Sequence, residues 1–211
     1  MNNTALRTLY IFRHGETDWN LEGRMQGGTD IPLNANGRRQ AETLRLFFEI
    51  YPVEAFITSD LQRAKETALS AIHRQNLPLI VEPRIRETNL GAAEGLTRPE
   101  LLLKLGDHAW NSWSSMDQPD FRFPGGESKY EHMLRFRAGI EDVLSKSGAT
   151  RFGVATHGGA MRRFIHYVRP ELAEPMIIPN CTVFKFTAMP RENAEDGLGL
   201  FVWKMELDPQ T

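Results

Sequence analysis

The sequence predicts a single α/β domain in which parallel strands alternate with helices. Its 211 residues are enough for one domain with a sizeable core and few for two. Hydrophobic residues make up 41% of the chain and charged residues 25%, as in folded globular proteins. Apolar strand-like runs alternate with segments of helical spacing, an order that implies parallel crossover connections. We therefore assign residues 1–211 to one domain.

The first strand and helix are predicted near the N-terminus. Residues 6–12, "LRTLYIF", are β-branched, aromatic and apolar, which predicts a buried strand ending near His14. Turn residues follow, and then apolar residues recur at helical spacing between positions 41 and 48. Residues 37–50 are thus expected to form an amphipathic helix whose apolar face covers the first strand.

The alternation continues in the next part of the chain. Residues 53–60 and 78–83 predict the second and third strands, and residues 61–75 predict the helix between them. The apolar side chains of this helix are expected to face the sheet: Leu61, Ala64, Ala68, Leu69 and Ile72.

The C-terminal part repeats this unit and closes the sheet. Residues 128–148 predict a helix, residues 150–159 a strand that runs into a Gly-Gly turn, and residues 160–168 a further helix. Residues 181–187 and 198–205 predict two closing strands.

The segment around residues 88–126 does not fit the alternation. It contains turn residues and four aromatic side chains that could contact a substrate or simply pack: Trp110, Trp113, Phe121 and Phe123. We interpret it as a short helix plus a loop that forms a lid or specificity segment, with Arg122 as an anchor for a second anionic group. The alternative is a satellite hydrophobic cluster packed on the sheet edge.

Charge and composition restrict the partners. A net charge of −2 provides no broad positive field for nucleic acid or an anionic membrane, so recognition of a phosphate has to be local. No apolar stretch approaches the roughly 20 residues that a membrane span needs. The single Cys181 cannot form an intramolecular disulfide, and the first residues lack the pattern of a secretory signal. We expect a cytoplasmic protein, a monomer or homodimer, that binds a small molecule.

Residues with catalytic chemistry follow each of the first four predicted strands, where ligands of open α/β sheets bind. They are Arg13, His14 and Gly15 after the first strand, Ser59, Asp60 and Arg63 after the second, Glu87 after the third, and His157, Gly158 and Gly159 after the fourth. Guanidinium groups match phosphate oxygens, and an unprotonated imidazole can attack phosphorus to form a covalent phosphoenzyme. The set predicts phosphoryl chemistry without a metal or other cofactor.

The pattern of residues assigns some roles and leaves others open. Arg13 and Arg63 would stabilise the phosphoryl charge, and Glu87 could protonate the departing alkoxide and then accept a proton from water. Either His14 or His157 could be the nucleophile. Singly, each residue also has a structural explanation: Arg63 could be a solvated helix residue, and Ser59 could cap the helix that follows it.

The octapeptide "RHGETDWN" resembles the signature of the histidine phosphatase superfamily, also called phosphoglycerate-mutase-like. The resemblance continues in chain order through "RMQGGTDIPLNANGRRQA", "TSDLQRAKETA", "RETNLGAAEG", "PGGES" and "THGG", and spans residues 7 to about 187. It implies a three-layer α/β/α sandwich around a mainly parallel sheet.

The resemblance also implies the site residues. His14 would be the phosphorylated nucleophile, with Arg13, Arg63 and His157 forming the phosphate pocket and Glu87 serving as general acid and base. Further phosphate contacts are implied for four positions: Asn20, Gln26, Gly27 and the backbone of Gly158.

The residues around Glu87 favour the phosphatase branch. Mutases that use bisphosphoglycerate carry Arg-His-Tyr directly after the acid and have a longer middle segment, whereas residues 88–90 here are Thr-Asn-Leu. We therefore predict a metal-independent phosphatase that hydrolyses a small phosphorylated metabolite. The alternatives are a phosphoglycerate mutase and a non-catalytic protein that binds a phosphorylated ligand. Ala93, where relatives often have tryptophan, makes the substrate harder to predict.

Overall fold

A six-stranded mixed sheet forms the centre of the molecule. The computed structural model describes residues 5–72, 76–172, 176–192 and 199–206. The strands are β1 (Arg7–Arg13), β2 (Ala55–Thr58), β3 (Leu79–Val81), β4 (Arg151–Thr156), β5 (Val183–Pro190) and β6 (Phe201–Met205). Their order across the sheet is β3-β2-β4-β1-β5-β6.

The first four strands are parallel, as the alternation of strands and helices predicts. β4 lies between β1 and β2 and pairs in parallel with both, and β2 pairs in parallel with β3. β5 and β6 continue the sheet in antiparallel pairing. The carboxyl ends of β1, β2 and β4 therefore lie at one edge, where their following loops meet.

Six α-helices occur in the described ranges. They are α1 (Asp18–Leu21), α2 (Ala35–Ile50), α3 (Gln62–Ile72), α4 (Arg98–Ser114), α5 (Lys129–Lys146) and α6 (Gly158–Val168). Side chains of Thr17, Asn34, Thr97 and Ser128 accept a backbone hydrogen bond at the starts of α1, α2, α4 and α5, which satisfies donors that a helix leaves free. None of these helices is long and apolar enough to cross a membrane.

Two separate cores lie on the two faces of the sheet. Alternate residues of β1 point to opposite faces, so Tyr10 and Phe12 join the α2 and α3 side, whereas Leu9 and Ile11 join the α5 and α6 side. Phe48 of α2 packs against Phe12 with ring centroids 5.6 Å apart. The predicted three-layer sandwich and the packing of the first long helix on β1 are both confirmed.

Two details differ from the sequence prediction, and two short stretches of it are not tested. Leu69 of α3 is 57% exposed, because Thr67 and Ala71 occupy the buried face instead. The predicted Gly-Gly turn after β4 is wrong, since His157 is the N-cap and Gly158 already begins α6. Residues 73–75 of the predicted second helix and residue 198 of the last strand lie outside the described residues.

The segment around residues 88–126 forms its own hydrophobic cluster. α4 is interrupted at Gly106, whose φ of 81° and ψ of 164° are not helical, so the segment contains two short helical stretches where one short helix was expected. Phe123 is 1% exposed and packs with Trp113 and Phe121. The satellite cluster therefore exists, while Trp113 also reaches the cavity described below.

Candidate active site

The register of two parallel strands brings the two histidines together. Arg13, the last residue of β1, pairs with Thr156, the last residue of β4. The next residue of each strand is a histidine, so the rings of His14 and His157 lie 5.2 Å apart between centroids. Both residues are buried.

The surroundings of His14 favour a neutral ring with one free nitrogen. Its Nδ1 lies 2.7 Å from the carbonyl oxygen of Gly15, and a carbonyl only accepts, so Nδ1 carries the hydrogen and Nε2 keeps a free lone pair. Burial and then the charges of Arg63 and Arg13 hold the pKa of His14 well below its usual 6.5. The ring is thus neutral at neutral pH, with Nε2 available.

Arg63 is fully buried, so the interpretation as a solvated helix residue is wrong. Its Nη1 and Nη2 donate to the carbonyls of Thr29 at 2.7 Å and Gly27 at 2.9 Å, and its Nε donates to Nδ1 of His157 at 3.2 Å. Burial lowers the pKa of Arg63 to about 10, which leaves the guanidinium charged at neutral pH.

The bond from Arg63 also sets the state of His157. Because Nδ1 of His157 accepts, its hydrogen is on Nε2, and this buried atom has no hydrogen-bond partner among the described residues. Burial, the Arg63 charge and then His14 hold the pKa of His157 well below its usual 6.5. His157 is therefore a neutral donor beside His14.

Arg13 packs over the start of α6. A Cβ at Gly158 would lie 3.2 Å from Nε of Arg13, so the glycine permits the close approach. Nη1 of Arg13 donates to the carbonyl of Ile178 at 2.7 Å, and Nε is buried without a partner among the described residues. Asn180 in the same loop donates to the carbonyl of His14 at 2.8 Å, a supporting contact that the sequence analysis missed.

Glu87 is held from the first turn of α6. Its Oε2 accepts from the backbone N–H of Gly159 at 2.7 Å, and its Oε1 accepts from the N–H of Thr88 at 2.9 Å. A Cβ at Gly159 would lie 2.5 Å from Oε1 of Glu87, so only glycine leaves room for the carboxylate. The acid side chain is half-buried and faces the same space as His14.

A cavity of about 250 Å³ joins most of the predicted site residues. Eight of them line it: Arg13, His14, Asn20, Gln26, Gly27, Arg63, Glu87 and Gly158. His157 is not among the lining residues, although its ring is close to that of His14. Arg122 is not among the lining residues, because it points to the surface and pairs with Glu131 at 3.0 Å. Ser59 accepts from the N–H of Leu61 at 3.3 Å, one residue before α3 begins at Gln62, so this bond does not cap the helix.

The cavity also has a wall that the sequence analysis missed. Arg162 and Arg163 of α6 line it, together with Arg24 and with Trp113 from α4. The available signal was the Arg-Arg pair one helical turn after the two glycines. Among the described residues, no group of three or more His, Cys, Asp or Glu side chains could hold a metal ion.

Sequence comparison finds the same family that the motifs resemble. The sequence model of the histidine phosphatase superfamily (branch 1) matches residues 9–197. "Probable phosphoglycerate mutase GpmB" of Proteus mirabilis is 33% identical over 178 residues, which cover 83% of this chain and 82% of that protein. "Uncharacterized phosphatase PhoE" of Bacillus subtilis is 36% identical over 119 residues, or 56% of this chain and 62% of that protein.

Solved structures share the fold over nearly the whole chain. A mycobacterial glucosyl-3-phosphoglycerate phosphatase superimposes with a TM-score of 0.80 at 24% identity and covers 95% of this chain and 97% of its own. Bacillus stearothermophilus YhfR superimposes with a TM-score of 0.77 at 28% identity, covering 96% of this chain and 97% of its own.

Proposed function

The chain belongs to the histidine phosphatase superfamily, and we propose that it hydrolyses a small phosphomonoester through a covalent phosphohistidine on His14. The observation that carries this proposal is the state of His14. Its Nδ1 hydrogen is bonded to Gly15 and its pKa is depressed, so a neutral Nε2 faces a cavity lined by guanidinium groups.

In the first step, Nε2 of His14 attacks phosphorus and forms a P–N bond. The bond from phosphorus to the ester oxygen breaks, and its electron pair stays on that oxygen, which takes a proton from Glu87. Arg13, Arg63 and Nε2–H of His157 would donate to the three remaining phosphoryl oxygens. These fixed donors stabilise charge where it develops in the transition state.

In the second step, water attacks the phosphohistidine. Glu87, now ionised, accepts a proton from the water, the P–N bond breaks, and inorganic phosphate leaves with His14 neutral again. No metal takes part in this scheme, because guanidinium and imidazole groups stabilise the charge. The proposed substrate is a small metabolite of the cytoplasm.

A second candidate function is phosphoglycerate mutase. The 33% identity over 83% of this chain to the Proteus mirabilis relative, named as a probable phosphoglycerate mutase, favours it. Against it, residues 88–90 place no cationic side chain directly after the acid, and Leu90 is buried in the hydrophobic cluster of its segment. We therefore propose phosphatase as the main activity. A protein that only binds a phosphorylated ligand does not need a nucleophile and a general acid beside the phosphate pocket, so the complete set of reactive groups argues against that alternative.

The test combines turnover with trapping. The protein should release phosphate from an aryl phosphate, and rapid acid-free quenching with a radiolabelled substrate should yield an acid-labile, base-stable phosphoprotein that is absent from His14→Ala. Vanadate should inhibit, since it mimics five-coordinate phosphorus, and a chelator should leave activity intact. Loss of activity on chelation, restored by a divalent metal, would contradict the mechanism.

A parallel assay separates phosphatase from mutase. Isomerisation of phosphoglycerate is followed after bisphosphoglycerate is added, alongside phosphate release from the same compounds. Isomerisation faster than phosphate release would identify a mutase. Absence of both activities, with retained binding of phosphorylated compounds, would identify a binding protein.

A further inference from the structure

We propose that the substrate carries a second anionic group, a carboxylate or a second phosphate, which binds to Arg162 and Arg163 of α6. This inference rests on the proposed function, because it describes the leaving alcohol of the same phosphomonoester. It places the anionic anchor on α6 rather than at Arg122, which pairs with Glu131 on the surface.

The helical spacing puts the two arginines next to the phosphate site. Gly158 and Gly159 line the cavity at the first turn of α6, and Arg162 and Arg163 each follow one of them by four residues. Residues four apart lie on the same side of a helix, about one 5.4 Å turn along its axis. One cavity is lined by both the phosphate-site residues and these arginines, so a single small ligand can contact both.

Both arginines keep donors for a ligand. Arg162 forms no hydrogen bond and no ion pair within the part of the chain that the structure describes, and its Nε is buried. Arg163 is 8% exposed, and its Nη1 donates to the carbonyl of Gly159 at 3.0 Å, whereas its buried Nε has no partner among the described residues. Buried charges normally have a partner, so a ligand anion would complete the arrangement.

Arg24, which also lines the cavity, provides the contrast. It pairs with Glu22 at 2.6 Å and with Glu100 at 3.1 Å, so its charge is already balanced by the protein. Arg162 and Arg163 have no such carboxylate within the described residues.

The charges along the cavity exceed what one phosphate requires. Four lining guanidinium groups lack a carboxylate in ion-pair contact among the described residues: Arg13, Arg63, Arg162 and Arg163. Within the described part of the chain, Glu87 is the one carboxylate that lines the cavity with them. A phosphomonoester dianion therefore leaves positive charge unbalanced, and a second anion on the substrate would balance it.

Trp113 orients the guanidinium group of Arg163. The guanidinium of Arg163 lies over its ring at 4.3 Å to the centroid, a cation–π contact that fixes the plane of the five donors. Burial lowers the pKa of Arg163 to about 10, so the group stays charged at neutral pH. A fixed, charged fork suits the bidentate oxygens of a carboxylate or phosphate.

The experiment compares three matched substrates that differ only at the far end: glycerol 3-phosphate, 3-phosphoglycerate and glycerol 1,3-bisphosphate. We expect kcat/KM to be about tenfold or more higher for at least one of the two compounds with a second anion, from the strength of charged hydrogen bonds. The better of the two identifies the group as a carboxylate or a phosphate.

Substitutions assign the preference to α6. Arg162→Gln and Arg163→Gln should each lower kcat/KM about tenfold for the preferred compound with a second anionic group, with less than about threefold change for glycerol 3-phosphate and an aryl phosphate. Arg169→Gln is the matched control, because Arg169 lies at the end of α6 and pairs with Glu171. Arg169→Gln should leave kcat/KM unchanged for the three glycerol compounds and for the aryl phosphate.

Two results would contradict the proposal that Arg162 and Arg163 bind a second anionic group. One is the same kcat/KM for all three glycerol compounds in the unmodified protein. The other is an equal loss on every substrate, with a shifted pH profile, in Arg163→Gln. That second outcome would mean that Arg163 acts through Gly159 on Glu87, to which Gly159 donates.

Binding measurements separate this inference from the proposed reaction. Calorimetry with His14→Ala and the same three compounds needs no turnover. Tighter binding of a compound with a second anion, lost in the arginine variants, supports the subsite even if no aryl phosphate is hydrolysed. Equal binding of all three, in a protein that does hydrolyse aryl phosphate, refutes the subsite and leaves the phosphatase proposal intact.

Discussion

Arg63 donates a hydrogen bond from Nε to Nδ1 of His157 at 3.2 Å, and this contact connects two residues that are 94 positions apart. It leaves the Nε2 hydrogen of His157 without a described partner, beside the ring of His14. The phosphate site therefore depends on a supporting layer as well as on the residues that would touch the substrate.

Replacement of the proposed nucleophile should abolish turnover. His14→Ala should lower kcat for an aryl phosphate by about 10⁴-fold or more, because no other cavity residue is placed to form the covalent intermediate. His108→Ala, at an exposed histidine of α4, should keep full activity. More than a small residual rate in the first variant would refute the assignment.

Arg63→Lys should greatly reduce phosphatase activity although it retains the positive charge. A lysine ammonium cannot hold the carbonyls of Gly27 and Thr29 and Nδ1 of His157 in one plane, so we expect kcat/KM to fall about 100-fold. Arg38→Lys, at an exposed arginine that pairs with Glu66, is the matched control. A near-normal kcat/KM of Arg63→Lys would show that a positive charge at this position is enough for activity, without the three hydrogen bonds.

Gly159→Ala should separate activity from stability. The added Cβ would meet Oε1 of Glu87 at 2.5 Å and displace the carboxylate, so kcat should fall by about 10- to 100-fold. Alanine is favoured over glycine in helices, so the melting temperature should not drop. Gly148→Ala, where a Cβ meets no atom within 4 Å, should change neither quantity. A normal kcat in Gly159→Ala would mean that the position of Glu87 is unimportant.

Glu94 should act as a positioning residue. Its Oε1 accepts from the N–H groups of Gly28 at 2.8 Å and Leu90 at 3.0 Å, and its Oε2 accepts from the Thr29 hydroxyl. It thereby fixes the loop whose carbonyls hold Arg63. Glu94→Ala should lower the free energy of unfolding by about 2 kcal/mol and should also lower kcat/KM.

Chemical denaturation measures the first effect of Glu94→Ala, and assays with aryl phosphate measure the second. Glu49→Ala is the control, because Glu49 is exposed and pairs with Arg45 on α2. Reduced stability with unchanged kcat/KM would limit Glu94 to a structural role.

Stability should fall as the pH drops from about 6.5 toward 5. Burial holds the pKa of His14, His132 and His157 well below 6.5 in the folded protein, whereas the unfolded chain titrates near 6.5. Below that pH the unfolded state binds more protons, so each histidine removes up to about 1.4 kcal/mol per pH unit.

Denaturant titrations at pH 7.5 and 5.5 test this dependence. His132→Gln should show a smaller loss of unfolding free energy between the two pH values, and His108→Gln, which alters an exposed residue, should match the unmodified protein. An equal loss in His132→Gln would mean that the buried histidine is not responsible.

Several parts of the fold and the site followed from the sequence. Alternating periodicities predicted the parallel strands, and the residues after them had to meet because the carboxyl ends of parallel strands share one edge. Arg13, His14, Arg63 and Glu87 were identified in this way, and the structure brings them to one cavity. Leu69 was misplaced because periodicity does not say which neighbouring stripe a helix buries.

The sequence by itself determined the α/β order of elements and the chemical character of the loops, because both depend on local spacing and residue type. Only the tertiary structure decided which nitrogen of His14 is free, that Arg63 is buried, that Gly159 holds Glu87, and that Arg162 and Arg163 form a wall of the cavity. These features depend on atomic contacts between distant parts of the chain and on which side of a helix faces the cavity, and local sequence patterns do not encode such contacts.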